Sequence, residues 1–264
     1  MKDDILRELS HLELERDIKI LYAVESGSRA WGFASIDSDW DVRFIYVHRL
    51  NWYLQIDDRK DTIDRIMPNR IDLGGWDLRK ALVLFRKSNP PFLEWLYSPL
   101  VYVDKFSSAD NLRKLVSTHF SPKSCIHHYL NMASGNYKDF LDKENVITKK
   151  YFYVLRPVLA CEWLRNTNTP APMEFETLLN TQVKDNPIIS EINKLLFIKK
   201  SGGELGIGPK NEVIDEYLRE RINFYKDFVK SMERSPVPKS ELLNKLFVNT
   251  MREVWGKDAA IPIS

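Results

Sequence analysis

The run Tyr22-Ala-Val-Glu-Ser-Gly-Ser-Arg-Ala-Trp-Gly-Phe-Ala-Ser-Ile-Asp-Ser-Asp-Trp-Asp-Val-Arg-Phe-Ile-Tyr-Val47 decides how this chain is read. It scans as an apolar strand, a Gly-Ser turn, a short helix or loop, and a second strand that opens on two carboxylates. Asp39 and Asp41 are two apart, and residues i and i+2 of a strand share a face. Side-by-side carboxylates repel, so a cation is expected to hold them there. Mg²⁺ suits the role, because it takes carboxylate oxygens and keeps positions free for phosphate oxygens. Just upstream, Gly27 lets the backbone approach a ligand closely, while Ser28 adds a hydroxyl and an amide donor. A phosphate cradle and a metal pair therefore fall within one strand–turn–strand unit.

Working outward, residues 2–16 place Ile5, Leu6, Leu9, Leu12 and Leu14 among charges, the pattern of an amphipathic helix. Residues 18–25 form an apolar run closed by Ser26-Gly27, a buried strand. The second strand covers about 40–48, with Val42, Phe44 and Tyr46 on one face and Arg43, Ile45 and Val47 on the other. Asp39 and Asp41 have the parity of the second set, so the acidic start of the strand looks into a site while the opposite face packs. A short helix or turn is expected over 50–55 and a hairpin or loop over 56–69. A third strand follows at 70–76, carrying Asp72 between Ile71 and Leu73 and ended by Gly74-Gly75. Asp77 caps a helix that Asn89-Pro90-Pro91 stops; a short helix at 91–97 and a strand at 100–103 complete this part.

Beyond about residue 107 strand signals vanish. Residues 107–119, 121–142, 148–166, 186–200, 210–233 and 239–254 all read at helical period. The expected division is an α/β part over 1–105 and a helical part over 106–264.

Composition narrows the class. The 264 residues are 44% hydrophobic and 12% aromatic, ample for packed cores and unlike a disordered chain. With 39 basic and 37 acidic residues the net charge is +2, so nucleic-acid contact has to come from a local patch. Cys125 and Cys161 lie in apolar helical patterns and read as free thiols rather than a disulfide or metal pair. The charged N-terminus holds no signal core, and no apolar run reaches the roughly 20 residues of a membrane span. The reading is a soluble cytoplasmic protein with no membrane partner. Nothing in the sequence sets an oligomeric state.

Two-metal phosphoryl chemistry calls for a third carboxylate from a neighbouring strand. Asp72, alone in an apolar triplet, is the first candidate; Asp77 is the competitor, though it already serves as a helix cap. Arg29 has two readings, a fork onto phosphate or an ion pair with Glu25 or Asp37. Arg43 is expected to brace the carboxylates. Trp31 and Trp40 flank the site, either packing or stacking a base. Lys149, Tyr153 and Arg156 stand at i, i+4 and i+7 on a helix, with Lys150 beside them. This stripe is either a solvated face or a basic wall facing a triphosphate or an RNA backbone. His127-His128, adjacent on a helix, point about 100° apart and read as structural or surface residues.

Gly27-Ser28 followed by Asp39-x-Asp41 between strands resembles the signature of the DNA polymerase β-like nucleotidyltransferase superfamily. More narrowly, the runs Glu25–Phe33, Ser38–Tyr46, Asp72–Leu82 and Lys150–Pro157 resemble the YcgL/RlaP family of predicted nucleotidyltransferases, the latter name meaning RNA-ligase-associated. The resemblance spans most of the chain. It implies an α+β fold, a polymerase β-like core of mixed sheet and helices followed by a C-terminal helical domain. It implies that Gly27 and Ser28 hold the β- and γ-phosphates of an NTP, with ATP the first choice. Asp39 and Asp41 would bind two Mg²⁺ ions, with Asp72 the third ligand. The implied reaction moves an NMP from the NTP to a hydroxyl, with RNA one candidate acceptor, and releases pyrophosphate. Two other readings stand beside it: an inactive nucleotide- or RNA-binding module, and a toxin–antitoxin type enzyme acting on protein or tRNA.

Overall fold

The computed structural model describes residues 1–201, 206–233 and 238–256. Helix α1 (Lys2–Arg16) leads into β1 (Ile18–Glu25) and, after the Gly-Ser turn, β2 (Trp40–His48). Then come α2 (Leu50–Tyr53), β3 (Thr62–Ile66), β4 (Ile71–Asp77), α3 (Leu78–Arg86), α4 (Pro90–Leu96) and β5 (Val101–Asp104). The five strands make one mixed sheet in the order β3-β4-β2-β1-β5. β2 and β4 run parallel, and every other neighbouring pair is antiparallel.

Both faces of this sheet are covered, which is why its central strands read as near-continuous apolar runs. On one face α1 sets Ile5, Leu9 and Leu12 against Ile18, Ile20, Val42, Phe44, Tyr46, Ile71 and Leu73. On the other, Leu21, Tyr22, Val24, Ile45 and Val47 pack under the helices. A β-bulge between Ile20 and Tyr22 reverses the alternation of β1, so Leu21 and Tyr22 both reach the helical side.

One expectation fails in this sheet. Gly74-Gly75 does not end the third strand, because β4 continues to Asp77. A Cβ on Gly75 would lie 2.2 Å from the Phe44 ring and one on Gly74 3.0 Å from Arg43 Cδ. The glycines leave room for side chains of β2 rather than making a turn. The Asp77 cap is found as expected, its carboxylate accepting from the Arg79 amide at 2.8 Å.

The second half contains α5 (Ser108–His119), α6 (Pro122–Asn136), a π turn (Tyr137–Leu141), β6 (Asn145–Ile147) and a 3₁₀ turn (Thr148–Lys150). It continues through α7 (Tyr151–Thr167), α8 (Phe175–Gln182), α9 (Asn186–Lys200), β7 (Ile207–Pro209), α10 (Glu212–Ser231) and α11 (Glu241–Trp255). Sequence pattern does not reveal α8 or the β6–β7 ribbon, since three-residue strands carry no alternation. The expected helix over 121–142 is found as α6 and the π turn that continues it to Leu141. One hydrophobic core runs from Leu21 on β1 to Trp255 on α11, and the Trp255 indole N–H donates to the His48 carbonyl at the end of β2. Cys125 and Cys161 are buried free thiols. Among the described residues no helix is long and apolar enough to cross a membrane.

Candidate active site

The site starts where β1 ends. The Ser26 amide donates to Asp41 O at 2.9 Å, and the turn closes through Trp31 N to Gly27 O and Phe33 N to Ser28 O. This brings the turn directly over the start of β2. A Cβ on Gly27 would lie 1.7 Å from Asp41 Oδ2 and 2.8 Å from Asp41 Cβ. No side chain fits at position 27 while Asp41 stays in place. The phosphate turn and the acidic strand are one packed unit.

Glu25 holds that unit from beneath. It is fully buried, accepts from the Asp41 amide at 2.8 Å and from the Tyr102 hydroxyl at 2.5 Å. Burial raises its carboxyl above the ordinary range, the two donors oppose that rise, and the Asp41 charge adds to it. The sequence offers Glu25 only as an ion-pair partner for Arg29. The signal for a larger role is a lone acid closing an apolar strand.

Asp41 and Asp72 are register partners on the parallel pair β2–β4, so the two carboxylates lie side by side. Arg43 braces them as expected: Nη2 is 2.7 Å from Asp72 Oδ2 and 3.3 Å from Asp41 Oδ1, while Nη1 donates to Asp72 O at 2.9 Å. Burial pushes the Asp41 carboxyl up; Arg43 lowers it, and the charges of Asp72 and Asp39 raise it again. Asp39 stands exposed just before β2.

The three carboxylates do not form the expected cage. Among the described residues no three His, Cys, Asp or Glu side chains converge as metal donors. Asp72 is held by Arg43, and of the three expected ligands Asp39 and Asp41 line the cavity beside the turn. That pair still fits Mg²⁺, which is commonly bound through one or two carboxylates plus substrate phosphates. Burial is the main cause of the raised Asp41 carboxyl, and the charges of Asp72 and Asp39 add to it.

The cavity has a volume of about 730 Å³. Ser26, Gly27, Ser28, Asp37, Asp39, Asp41 and Arg43 line it from the sheet side, and Lys149, Phe152, Tyr153 and Lys199 from the helical side. Trp31 and Phe33 lie between, with the Trp31 ring edge-on to Tyr153 at 6.0 Å. Ser35 and Ser38, also in the lining, are joined by hydrogen bonds of 3.0 and 3.1 Å.

Of the expected basic stripe, Lys149 and Tyr153 reach the cavity. Lys150 does not line it; its ammonium sits over the rings of Phe140 and Tyr153, at 4.3 and 4.4 Å. Arg156 is corrected outright. It is 4% exposed, pairs with Glu94 at 2.9 Å and lies over the Trp31 ring at 4.8 Å. The helical stripe turns inward at its third member, because α7 is buried along nearly its whole length.

Arg29 follows neither of its readings. It donates to the carbonyls of Ser38 and Asp39 at 2.7 and 3.1 Å and stacks on Trp40 at 3.8 Å. It shapes the backbone that presents Asp39, while Asp37 pairs with Arg70. Lys199 is a cavity residue that sequence reading misses. Only the fold brings the end of α9 to this place.

Over residues 1–249 the sequence matches the family model of RlaP, the RNA repair pathway DNA polymerase beta family. The chain belongs to that family. It is 45% identical over 255 residues to the uncharacterized protein YcgL of Bacillus subtilis (strain 168), covering 97% of this chain and 98% of that one. A crystal structure of a nucleotidyltransferase-like protein from Exiguobacterium sibiricum aligns over 96% of this chain and 80% of its own. At 12% identity and a TM-score of 0.30, that likeness is too loose to carry detail across. For this RlaP-family member, the Gly27–Asp41 unit and the cavity over it are the candidate active site.

Proposed function

We propose that the protein is a metal-dependent nucleotidyltransferase that moves an NMP from an NTP to a hydroxyl acceptor. The observation that carries this reading is the interlock of Gly27 with Asp41. A phosphate-binding turn has no need of a carboxylate packed against its glycine unless a cation joins the two. Asp39 and Asp41 would hold Mg²⁺, which when bound offsets charge on the α-phosphate and lowers the pKa of the attacking hydroxyl. The Gly27-Ser28 backbone and hydroxyl would orient the distal phosphates. The acceptor oxygen bonds to the α-phosphorus, the bond to pyrophosphate breaks, and the hydroxyl proton leaves to a site carboxylate or to water. Arg43 and Glu25 keep the acids aligned. ATP is the first nucleotide to test. The family description names an RNA repair pathway, which makes an RNA hydroxyl the first acceptor to test.

Arg43 supports a second reading. Its guanidinium already neutralises Asp72, as it would in a nucleotide-binding module without turnover. One experiment separates the two. The protein is incubated with α-phosphate-labelled NTPs, Mg²⁺ and pooled cellular RNA, proteins and metabolites. Transfer of label that disappears in Asp39→Ala/Asp41→Ala supports catalysis. Mg²⁺-ATP binding without label in any fraction supports the module.

A further inference from the structure

Two lysines meet in the cavity from distant parts of the chain. Lys149 sits in the 3₁₀ turn after β6, and Lys199 lies at the end of α9. The β6–β7 ribbon ties these segments together. Ile147 pairs with Ile207, and the Thr148 amide donates to Gly206 O at 3.0 Å. Gly206 itself lines the cavity.

These ammonium groups differ from their neighbours. Lys194 and Lys200, also on α9, pair with Glu191 and Glu176. Among the described residues Lys199 makes a long hydrogen bond, 3.4 Å, to Ser35 Oγ in the cavity lining, and no ion pair. Burial and the Lys149 charge hold its ammonium below the ordinary lysine range. Two like charges thus converge on a space whose opposite wall is the Gly27-Ser28 turn and the acidic pair. The two ammonium groups repel each other, and an anion between them relieves that repulsion. Lysine, a flexible point charge, suits phosphate oxygens that sit at no single fixed angle.

We propose that Lys149 and Lys199 form the helical wall of a polyphosphate subsite, so that the substrate's triphosphate bridges the sheet and the helical half. Lys199 leaves Ser35 Oγ for a phosphate oxygen, which frees the loop carrying Asp37 and Asp39. A single phosphate satisfies one wall; a polyphosphate reaches both. The subsite names the anion that the proposed transferase takes and rests on that reading for its substrate, but its test does not depend on turnover.

Inorganic tripolyphosphate is titrated calorimetrically into the metal-free protein at low ionic strength, with orthophosphate as the short comparison. Wild type is expected to bind tripolyphosphate more tightly than orthophosphate. Lys149→Gln and Lys199→Gln should each weaken tripolyphosphate binding about tenfold, the scale of one charged hydrogen bond. Lys199→Arg should stay near wild type. Both lysines lie outside the core, so unchanged melting temperatures are expected and serve as the folding control. Affinity for tripolyphosphate within about twofold of wild type in the double Gln variant overturns the proposal. So does a wild type that prefers orthophosphate. If the lysines govern tripolyphosphate binding but no fraction takes nucleotidyl label, the subsite stands and the transferase reading falls. If label is transferred but anion binding ignores the lysines, the transferase reading stands and the subsite falls.

Discussion

Replacing Gly27 by alanine tests the interlock at the centre of the site. The added Cβ would lie 1.7 Å from Asp41 Oδ2 and 2.5 Å from Cγ, against 3.4 Å or more in an ordinary contact. Rotating the carboxylate does not relieve this, because the Asp41 Cβ, fixed to β2, is itself only 2.8 Å away. The turn and the strand have to separate by a good part of an ångström. A misplacement of about 1 Å in a catalytic group costs on the order of a hundredfold in rate, or about 2.7 kcal/mol of barrier. Overpacking adds a stability loss of about 1–3 kcal/mol. Gly27 is not at positive φ, so backbone strain makes no further contribution. The assay pairs label transfer with calorimetric Mg²⁺-ATP binding, which needs no acceptor. Gly75→Ala is the control. It drives a Cβ into the Phe44 ring and should lower stability while leaving Mg²⁺-ATP affinity per folded molecule near wild type. A folded Gly27→Ala protein with turnover and Mg²⁺-ATP affinity within about threefold of wild type would refute the reasoning.

Further outcomes follow from the buried polar groups. Tyr102→Phe removes a donor from buried Glu25 and should cost about 1–3 kcal/mol in urea unfolding, with a weaker Mg²⁺-ATP complex because Glu25 holds the Asp41 amide. Unchanged metal-nucleotide affinity would detach Glu25 from the site. Arg156→Met leaves Glu94 buried with, among the described residues, the Tyr129 hydroxyl as its remaining partner and should cost about 3–5 kcal/mol. Adding Glu94→Gln should recover part of that loss, and no recovery would mean that the charge pair is not the source. Asp77 supplies a pH test. Burial raises its carboxyl from 3.8 to about 6. The folded protein keeps that proton where the unfolded chain has lost it, so this contribution is present below about pH 4 and declines as pH rises to about 6, by roughly 3 kcal/mol in all. Asp77→Asn keeps the helix cap and should gain stability relative to wild type across that window. Parallel stability–pH curves for the two proteins would exclude Asp77 as the titrating group.

The sequence alone determined what depends on neighbours along the chain. The strand–turn–strand run, the Asp77 cap, the proline stops and α1 are local patterns, and each lies where its residues indicate. The parity of Asp39, Asp41 and Arg43 followed from strand period, and the brace on the carboxylates followed from that parity. Tertiary structure alone decided which of those groups meet across the chain. Parallel pairing of β2 with β4 put Asp72 beside Asp41, yet the same pairing gave Asp72 to Arg43 and left Asp39 and Asp41, of the three, facing the cavity. Helical spacing placed Arg156 on one stripe with Lys149 and Tyr153, but spacing cannot say where a face passes from solvent into a core. Lys199 was invisible because its partner is fifty positions away and the ribbon joining them is three residues per strand. Periodicity reports how a segment is half-buried; which groups share a cavity is set by contacts between segments, and those contacts leave no period to read.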